Sequence, residues 1–446
     1  MTALSSPLSI YLHIPFCVHR CAYCDFNTYA GQQDSIPAYV DALIREIEFN
    51  GSQLSDQPTT RLLDYPTTRP SDYKTIQTIF FGGGTPSLLS GPQLASVMDA
   101  LRAAFAFSPD LEATLEANPG TTSQEFLHQI REAGLNRLSF GVQSANPDEL
   151  HQLERAHDFF DVIQSVKWAR QAGFDNLNLD IIYGLPEQTL VRWQNTVKRI
   201  VDLHPEHISA YALTLEHGTP FGTWANRGLL PLPDPDLAAD MYEWTMDYLE
   251  ENGYVQYEIS NWAMKVKGQK LALSNVEGSK ANSDLRPSTF DLRPSTFDLQ
   301  PTFACKHNLQ YWRSLPYLGL GAGAHGYADG LRYSNVLRIK TYIERLMTDH
   351  RLLITDFPLT PAVVNHHRQT RADDMGEFMM TGLRLTLEGI SPLEFESRFG
   401  ARLDEVYGKE IEGLIRVGLL EWQSDRLRLT RRGRLLGNQV FMQFVG

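Results

Sequence analysis

The chain is 446 residues long, 42% hydrophobic and 21% charged, a composition that suits a folded globular protein with room for two or three domains. Its formal net charge of −13 disfavours broad, non-specific binding to nucleic acid or anionic lipid. The opening "MTALSSPLSIYLHIPF" lacks a positive region followed by an apolar one, and no apolar run approaches the roughly 18 residues that span a bilayer, so a cytoplasmic protein is expected. In a reducing cytosol, clustered cysteines bind metal or do redox work more often than they form disulfides.

In chain order, strand-like runs fall at about 9–15, 76–82, 112–118, 137–143, 177–184 and 207–214. Between them, "PAYVDALIREIEF", "GPQLASVMDALRAAF", "TSQEFLHQIREAG", "FFDVIQSVKWARQAG" and "LVRWQNTVKRIVDL" carry apolar residues at helical spacing. Strands alternating with helices predict an α/β fold with a parallel sheet. It could be three quarters of an eightfold barrel or an open sheet of similar strand number, with ligands at the strand ends. Two stretches read as surface insertions: "PTTRLLDYPTTRP" (58–70), and a second (265–302) that contains a tandem DLRPSTF heptad. Each heptad holds a proline and there are two copies, which argues against a coiled coil. Beyond about residue 360 the alternation stops, and helices followed by "LLEW" and "RLRLT" predict a small α+β, winged-helix-like domain. Arg426, Arg428, Arg431, Arg432 and Arg434 lie in that wing, where a solvated face is favoured over nucleic-acid contact.

Chemistry concentrates after the first strand, where Cys17, Cys21 and Cys24 form C-x3-C-x2-C within "PFCVHRCAYCDF". Such a loop wraps three thiolates onto one face of a cluster, with Phe16, Tyr23 and Phe26 as bulky neighbours. Three thiolates leave one iron of a four-iron cluster open. A structural zinc ion needs a fourth protein ligand, for which Cys305, His13 or His19 would have to serve. "FFGGGTPS" ends the second strand, "LEANPGT" the third with Glu116, and "SFGVQS" the fourth with Gln143; Arg155 follows in "LERAH", and Asp180 lies within the fifth. The glycines let backbone approach a ligand closely. "GLGAGAHG" contains G-x-G-x-x-G but opens no helix, so it is rejected as a dinucleotide fingerprint.

The triple cysteine resembles the hallmark of the radical S-adenosylmethionine (SAM) superfamily, and the later motifs resemble its coproporphyrinogen-oxidase-like branch. The resemblance implies a partial (β/α)6 TIM-like barrel. Cys17, Cys21 and Cys24 would carry a 4Fe-4S cluster whose open iron chelates SAM, and reduction would cleave SAM to a 5′-deoxyadenosyl radical. It places Gly83, Gly84 and Thr85 on the SAM amino group and Glu116 on its ribose, with Gln143, Arg155 and Asp180 at further SAM contacts. Tyr11 and Tyr23 fall beside the cluster.

Two features narrow the branch. Phe26 stands where the coproporphyrinogen dehydrogenases have another cysteine, and "CKHNLQYW" (305–312) contains H-N-x-x-Y-W. Together they resemble the haem-chaperone branch over nearly the whole chain. That implies haem b as cargo, passed to recipient proteins such as respiratory enzymes, with no nucleic acid and only transient membrane association through recipients. Oligomeric state, a homodimer included, stays open. A neutral His307 can ligate iron, Tyr311 and Trp312 offer flat surface, Cys305 could add a thiolate, and His325 competes as a ligand. The expected division is a barrel over 1–260, the insertion over 265–302, a haem-associated segment over 303–360 and the C-terminal domain over 361–446. Radical decarboxylation of coproporphyrinogen III is the alternative function, and a nucleic-acid role through the wing an outside one.

Overall fold

A computed structural model describes residues 7–56, 75–265, 300–348 and 359–445. The repeat at 58–70 and nearly all of the insertion placed at 265–302 lie outside the described residues. The chain folds into two compact units, one from residues 1–245 and 305–374, the other from 246–304 and 375–446.

The first unit is built on β1 (Leu8–Ile14), β2 (Thr75–Gly83), β3 (Ala106–Ala117), β4 (Arg137–Gln143), β5 (Leu177–Tyr183) and β6 (His207–Ala212). Residues 317–335, in which the sequence shows no periodic element, add β7 (Tyr317–Leu320), β8 (His325–Ala328) and β9 (Leu331–Asn335), and β10 (Val363–Arg368) follows. Their order is β10-β9-β8-β7-β1-β2-β3-β4-β5-β6. β7 and β1 to β6 run parallel, and β8 to β10 are added antiparallel. The result is an open, partial barrel.

The strands read as they do because both faces are covered. In β1, "LSIYLHI", every residue is buried except Tyr11, and in β5, "LNLDIIY", every residue is buried except Asp180. Continuous apolar burial is what a parallel sheet packed on both sides requires. The two polar breaks are both candidate site residues. Connecting helices begin on side-chain caps: Ser90 and Gln93 form a capping box at Gly91–Ala104, and Asp158 and Asp161 form another at Phe159–Gln171. Among the described residues, no helix is long and apolar enough to cross a membrane.

The second unit packs helices Pro392–Phe399 and Leu403–Arg416 and the hairpin Leu420–Gln423/Arg426–Leu429 around a core that includes Phe378, Phe395, Phe399, Leu427 and Phe441. This is the helix-and-wing arrangement expected there. Its arginines are spent within the unit. Arg426 donates to the Glu388 carbonyl, Arg428 is buried against Gln423, Arg431 grips both oxygens of Asp247, and Arg434 meets Gln256.

Candidate functional site

The C-terminal ends of β1 to β5 bring together most of the candidate residues. Cys17 closes a two-residue strand, Phe16–Cys17, that pairs in parallel with Tyr29–Ala30 and so closes the cysteine loop upon itself. Thr85 aims its hydroxyl at Cys17 Sγ, 3.7 Å away. Arg155 places Nη1 3.7 Å from Cys21 Sγ. Burial pushes the Cys17 and Cys24 thiols up, and each lies close enough to its neighbouring cysteines for their charges to push further. A proton therefore leaves these sulfurs readily only when a cation compensates, as an iron cluster would. Among the described residues no three His, Cys, Asp or Glu side chains converge on a single-ion site. Three free cysteines on one loop are a donor set that fits an iron–sulfur cluster.

Gly83 N donates to Glu116 Oε2 at 3.1 Å, Gly84 N to the Ile14 carbonyl at 2.9 Å, and Thr85 N to the Phe16 carbonyl at 2.8 Å. All three amides are engaged within the protein. A Cβ on Gly84 would lie 2.6 Å from the Phe16 carbonyl oxygen, so the missing side chain lets β2 press against the cysteine loop.

Glu116 and Asp180 face the site from β3 and β5. Part of Glu116 reaches the surface, yet its carboxyl loses enough solvation to be raised to about 7, with the Asp180 charge adding to the shift. Asp180 accepts from Ser139 Oγ at 2.9 Å and Asn178 Nδ2 at 2.8 Å, and burial raises it as well. Gln143 ends β4 with φ +67°, beyond a register shift at Gly141. A Cβ on Gly141 would meet Gln143 Nε2 at 2.9 Å, Arg155 Nη2 at 3.2 Å and Asn118 Oδ1 at 3.3 Å. That bare position is where three polar side chains converge.

Tyr11 donates to His13 Nδ1 at 3.0 Å, because His13 Nε2 must carry the proton that it gives to the Asn27 carbonyl at 2.9 Å. Tyr23 packs with Ala22, Leu153 and Phe221 and lies beside Arg155. Sequence reasoning missed Asn118, which donates to Thr85 Oγ1 at 3.1 Å and accepts from Arg155. It also missed Arg137, a fully buried cation whose charge bears on Glu116, Asp180 and His307. Asn118 stands inside the quoted "LEANPGT", two residues past Glu116, and was legible there as a polar strand-end residue.

The segment 305–312 lies beside the middle of the strands. Helix Lys306–Trp312 packs against β1, β2 and β3: the His307 ring centroid is 6.4 Å from that of Tyr11, and His307 N and Cys305 Sγ both reach Glu112 Oε1, at 3.1 and 3.6 Å. His307 is 1% exposed and stacks on Phe80, with ring centroids 5.0 Å apart. Both of its nitrogens are engaged, Nδ1 with Thr78 Oγ1 at 2.6 Å and Nε2 with Tyr311 Oη at 2.9 Å. In this conformation His307 is a satisfied core histidine with no nitrogen open to iron, and Cys305 is a buried thiol pushed up to about 12. Tyr311 and Trp312 are half-buried, whereas His325 is exposed at the start of β8.

A cysteine loop at the C-terminal mouth of a partial parallel barrel, with a glycine turn and polar strand ends around it, defines a radical SAM protein. The chain matches the Radical SAM superfamily over residues 11–200 and the HemN C-terminal domain over residues 369–436. It is 36% identical to the heme chaperone HemW of Bacillus subtilis, covering 98% of this chain and 99% of that protein. It is 32% identical to the heme chaperone HemW of Escherichia coli, covering 98% of each. The chain belongs to the HemW family. Its fold is also that of the solved coproporphyrinogen III oxidase HemN from Escherichia coli, at TM-score 0.74 over 99% of this chain and 90% of that one, with 24% identity.

Proposed function

We propose that this protein is a haem chaperone that binds haem b and passes it to recipient proteins, respiratory enzymes among them, and that it carries a SAM-coordinating 4Fe-4S cluster. The observation that carries this reading is the near end-to-end relationship to proteins named heme chaperones, across both compact units. Phe26, in place of the extra cysteine of the dehydrogenases, agrees with it. The likeness to the oxidase speaks for the fold, and leaves decarboxylation of coproporphyrinogen III as the alternative.

Cys17, Cys21 and Cys24 would hold the cluster. Glu116 suits a ribose diol as a carboxylate acceptor, and Gln143, Arg155 and Asp180 would complete the SAM site beside Tyr11 and Tyr23. Gly83, Gly84 and Thr85, whose amides are bonded within the protein, would lie at the SAM amino group. The chemistry that a bound cluster and SAM supply is one-electron reduction. A cytoplasmic site of action fits the cysteine usage.

The test is haem titration of protein prepared without oxygen, alongside incubation with coproporphyrinogen III, SAM and a reductant. Stoichiometric haem binding with no decarboxylated product supports the chaperone. Conversion of coproporphyrinogen III would overturn it.

A further inference from the structure

A second imidazole lies where the folded chain leaves one accessible. His325 begins β8, opposite Ser334 of β9. It is exposed, while its backbone is fixed by the glycine-rich turn before it. Gly321 and Gly323 have φ of +99° and +82°, and Gly321 has no room for a Cβ, which would lie 2.4 Å from the His13 carbonyl oxygen. The turn that resembled a dinucleotide fingerprint is thus a rigid mount pressed against the end of β1.

The mount is tied to the cysteine loop. Asn27 Nδ2 donates to the carbonyls of Ala322 and Leu337, both at 3.1 Å. Gly323 N donates to the Val336 carbonyl at 2.9 Å, which brings residues 336–338 beside the turn. His325 lies close enough to His13 to depress that buried ring further. These bonds assemble one small surface from three segments distant in sequence. On the segments so joined Phe26 is 64% exposed and Leu337 56% exposed, and the His325 side chain is exposed as well. Arg20, which donates to the Cys24 and Phe26 carbonyls, and Arg338, next to Leu337, are both exposed, against one carboxylate, Asp25, on the loop.

An accessible imidazole, flat apolar surface and cations at the edge are together what an iron porphyrin with two propionates requires. Resting on the haem-chaperone reading, we propose that cargo haem is ligated at this mouth by His325, with Phe26 and Leu337 against the macrocycle and Arg20 and Arg338 near its propionates. Haem so placed lies at the molecular surface, beside the cysteine loop, in reach of a recipient. His307 in this proposal supports the barrel and does not meet the iron.

The test is ferric haem titration of the full chain, prepared without oxygen, read by visible absorption. Wild type binds stoichiometrically; His325→Ala weakens binding by about tenfold or more and changes the Soret band. Added imidazole restores the wild-type spectrum to His325→Ala, as it would not for a merely structural residue. His307→Gln keeps the wild-type spectrum. Arg20→Glu with Arg338→Glu weakens binding roughly fivefold in a salt-dependent way, as exposed charge pairs do. If His325→Ala keeps both affinity and spectrum while His307→Gln loses them, the proposal is overturned and the chaperone reading stands. A wild type that binds no haem defeats the chaperone reading, and this proposal with it.

Discussion

Gly83 lies so close to the His13 imidazole that a Cβ at that position would sit 2.5 Å from the ring. Its φ of +110° adds a second demand that only glycine meets without strain. Gly83→Ala is expected to destabilise the protein by about 2–4 kcal/mol, from backbone strain and overpacking together. His13→Ala in the same chain removes the steric share, so the two costs fall short of additivity by about 1 kcal/mol or more. Denaturant midpoints of the two single variants and the double variant check this. Strict additivity would mean that the ring is not what the glycine avoids.

Glu46, buried in the first unit, accepts four hydrogen bonds. They come from Gly321 N at 2.8 Å, Tyr342 Oη at 2.6 Å, Asn335 Nδ2 at 2.8 Å and Thr360 Oγ1 at 2.9 Å. One carboxylate thus staples the chain from the glycine turn to residue 360 onto helix Ile36–Asp56. Glu46→Ala leaves these donors without their acceptor, at an expected cost of at least about 3 kcal/mol. Hydrogen exchange at residues 321–335 should quicken before that of β3 to β5. Uniform quickening would contradict a local staple.

Glu116 makes stability depend on pH in a definite direction. Its folded pKa of about 7 lies above the ordinary 4.5, so between those values the native state holds a proton that the unfolded chain has released. Stability contributed by this group is therefore greatest below about 4.5 and falls as pH rises towards 7, by up to about 3 kcal/mol. Glu116→Gln should flatten that part of the profile. An unchanged slope in the variant would show that Glu116 titrates normally.

These residues mark what the sequence discloses and what it hides. The strand read at 137–143 coincides with β4, and that at 177–184 with β5 but for its last residue, because continuous apolar runs bounded by turns are local signals. The strand expected at 112–118 is longer, beginning at Ala106: Ala106 and Phe107 pair with β2, and residues 108–111, which offer no apolar pattern, fall in a register shift before pairing resumes at Glu112. The cysteine spacing and GGGTP were legible for the same local reason. Glu46 was not, because its partners lie 275 or more residues away and nothing near it in sequence hints at them. The H-N-x-x-Y-W segment was legible as a motif but not as a buried one. Its burial is decided by Thr78, Phe80 and Glu112 on strands that the motif cannot reveal.

His307 supplies the opposite pH signature to Glu116. Burial lowers it from 6.5 to about 3, with Arg137 adding a smaller push, so the native ring stays neutral while the unfolded ring takes up a proton. Its contribution to stability is full above about 6.5 and is lost progressively as pH falls towards 3. His307→Gln should cost about 1–3 kcal/mol at neutral pH, through altered bonds to Thr78 and Tyr311, and should soften acid unfolding. Thermal melts from pH 4 to 8 read both effects. Equal acid sensitivity in the two proteins would refute the buried neutral ring.

The most direct test of the account is iron and acid-labile sulfide analysis, with a visible spectrum, of protein purified strictly without oxygen. A brown protein with about four iron and four sulfide per chain is expected, both lost on replacing Cys17, Cys21 or Cys24 by alanine. A colourless protein, or one whose metal is zinc alone, would contradict it.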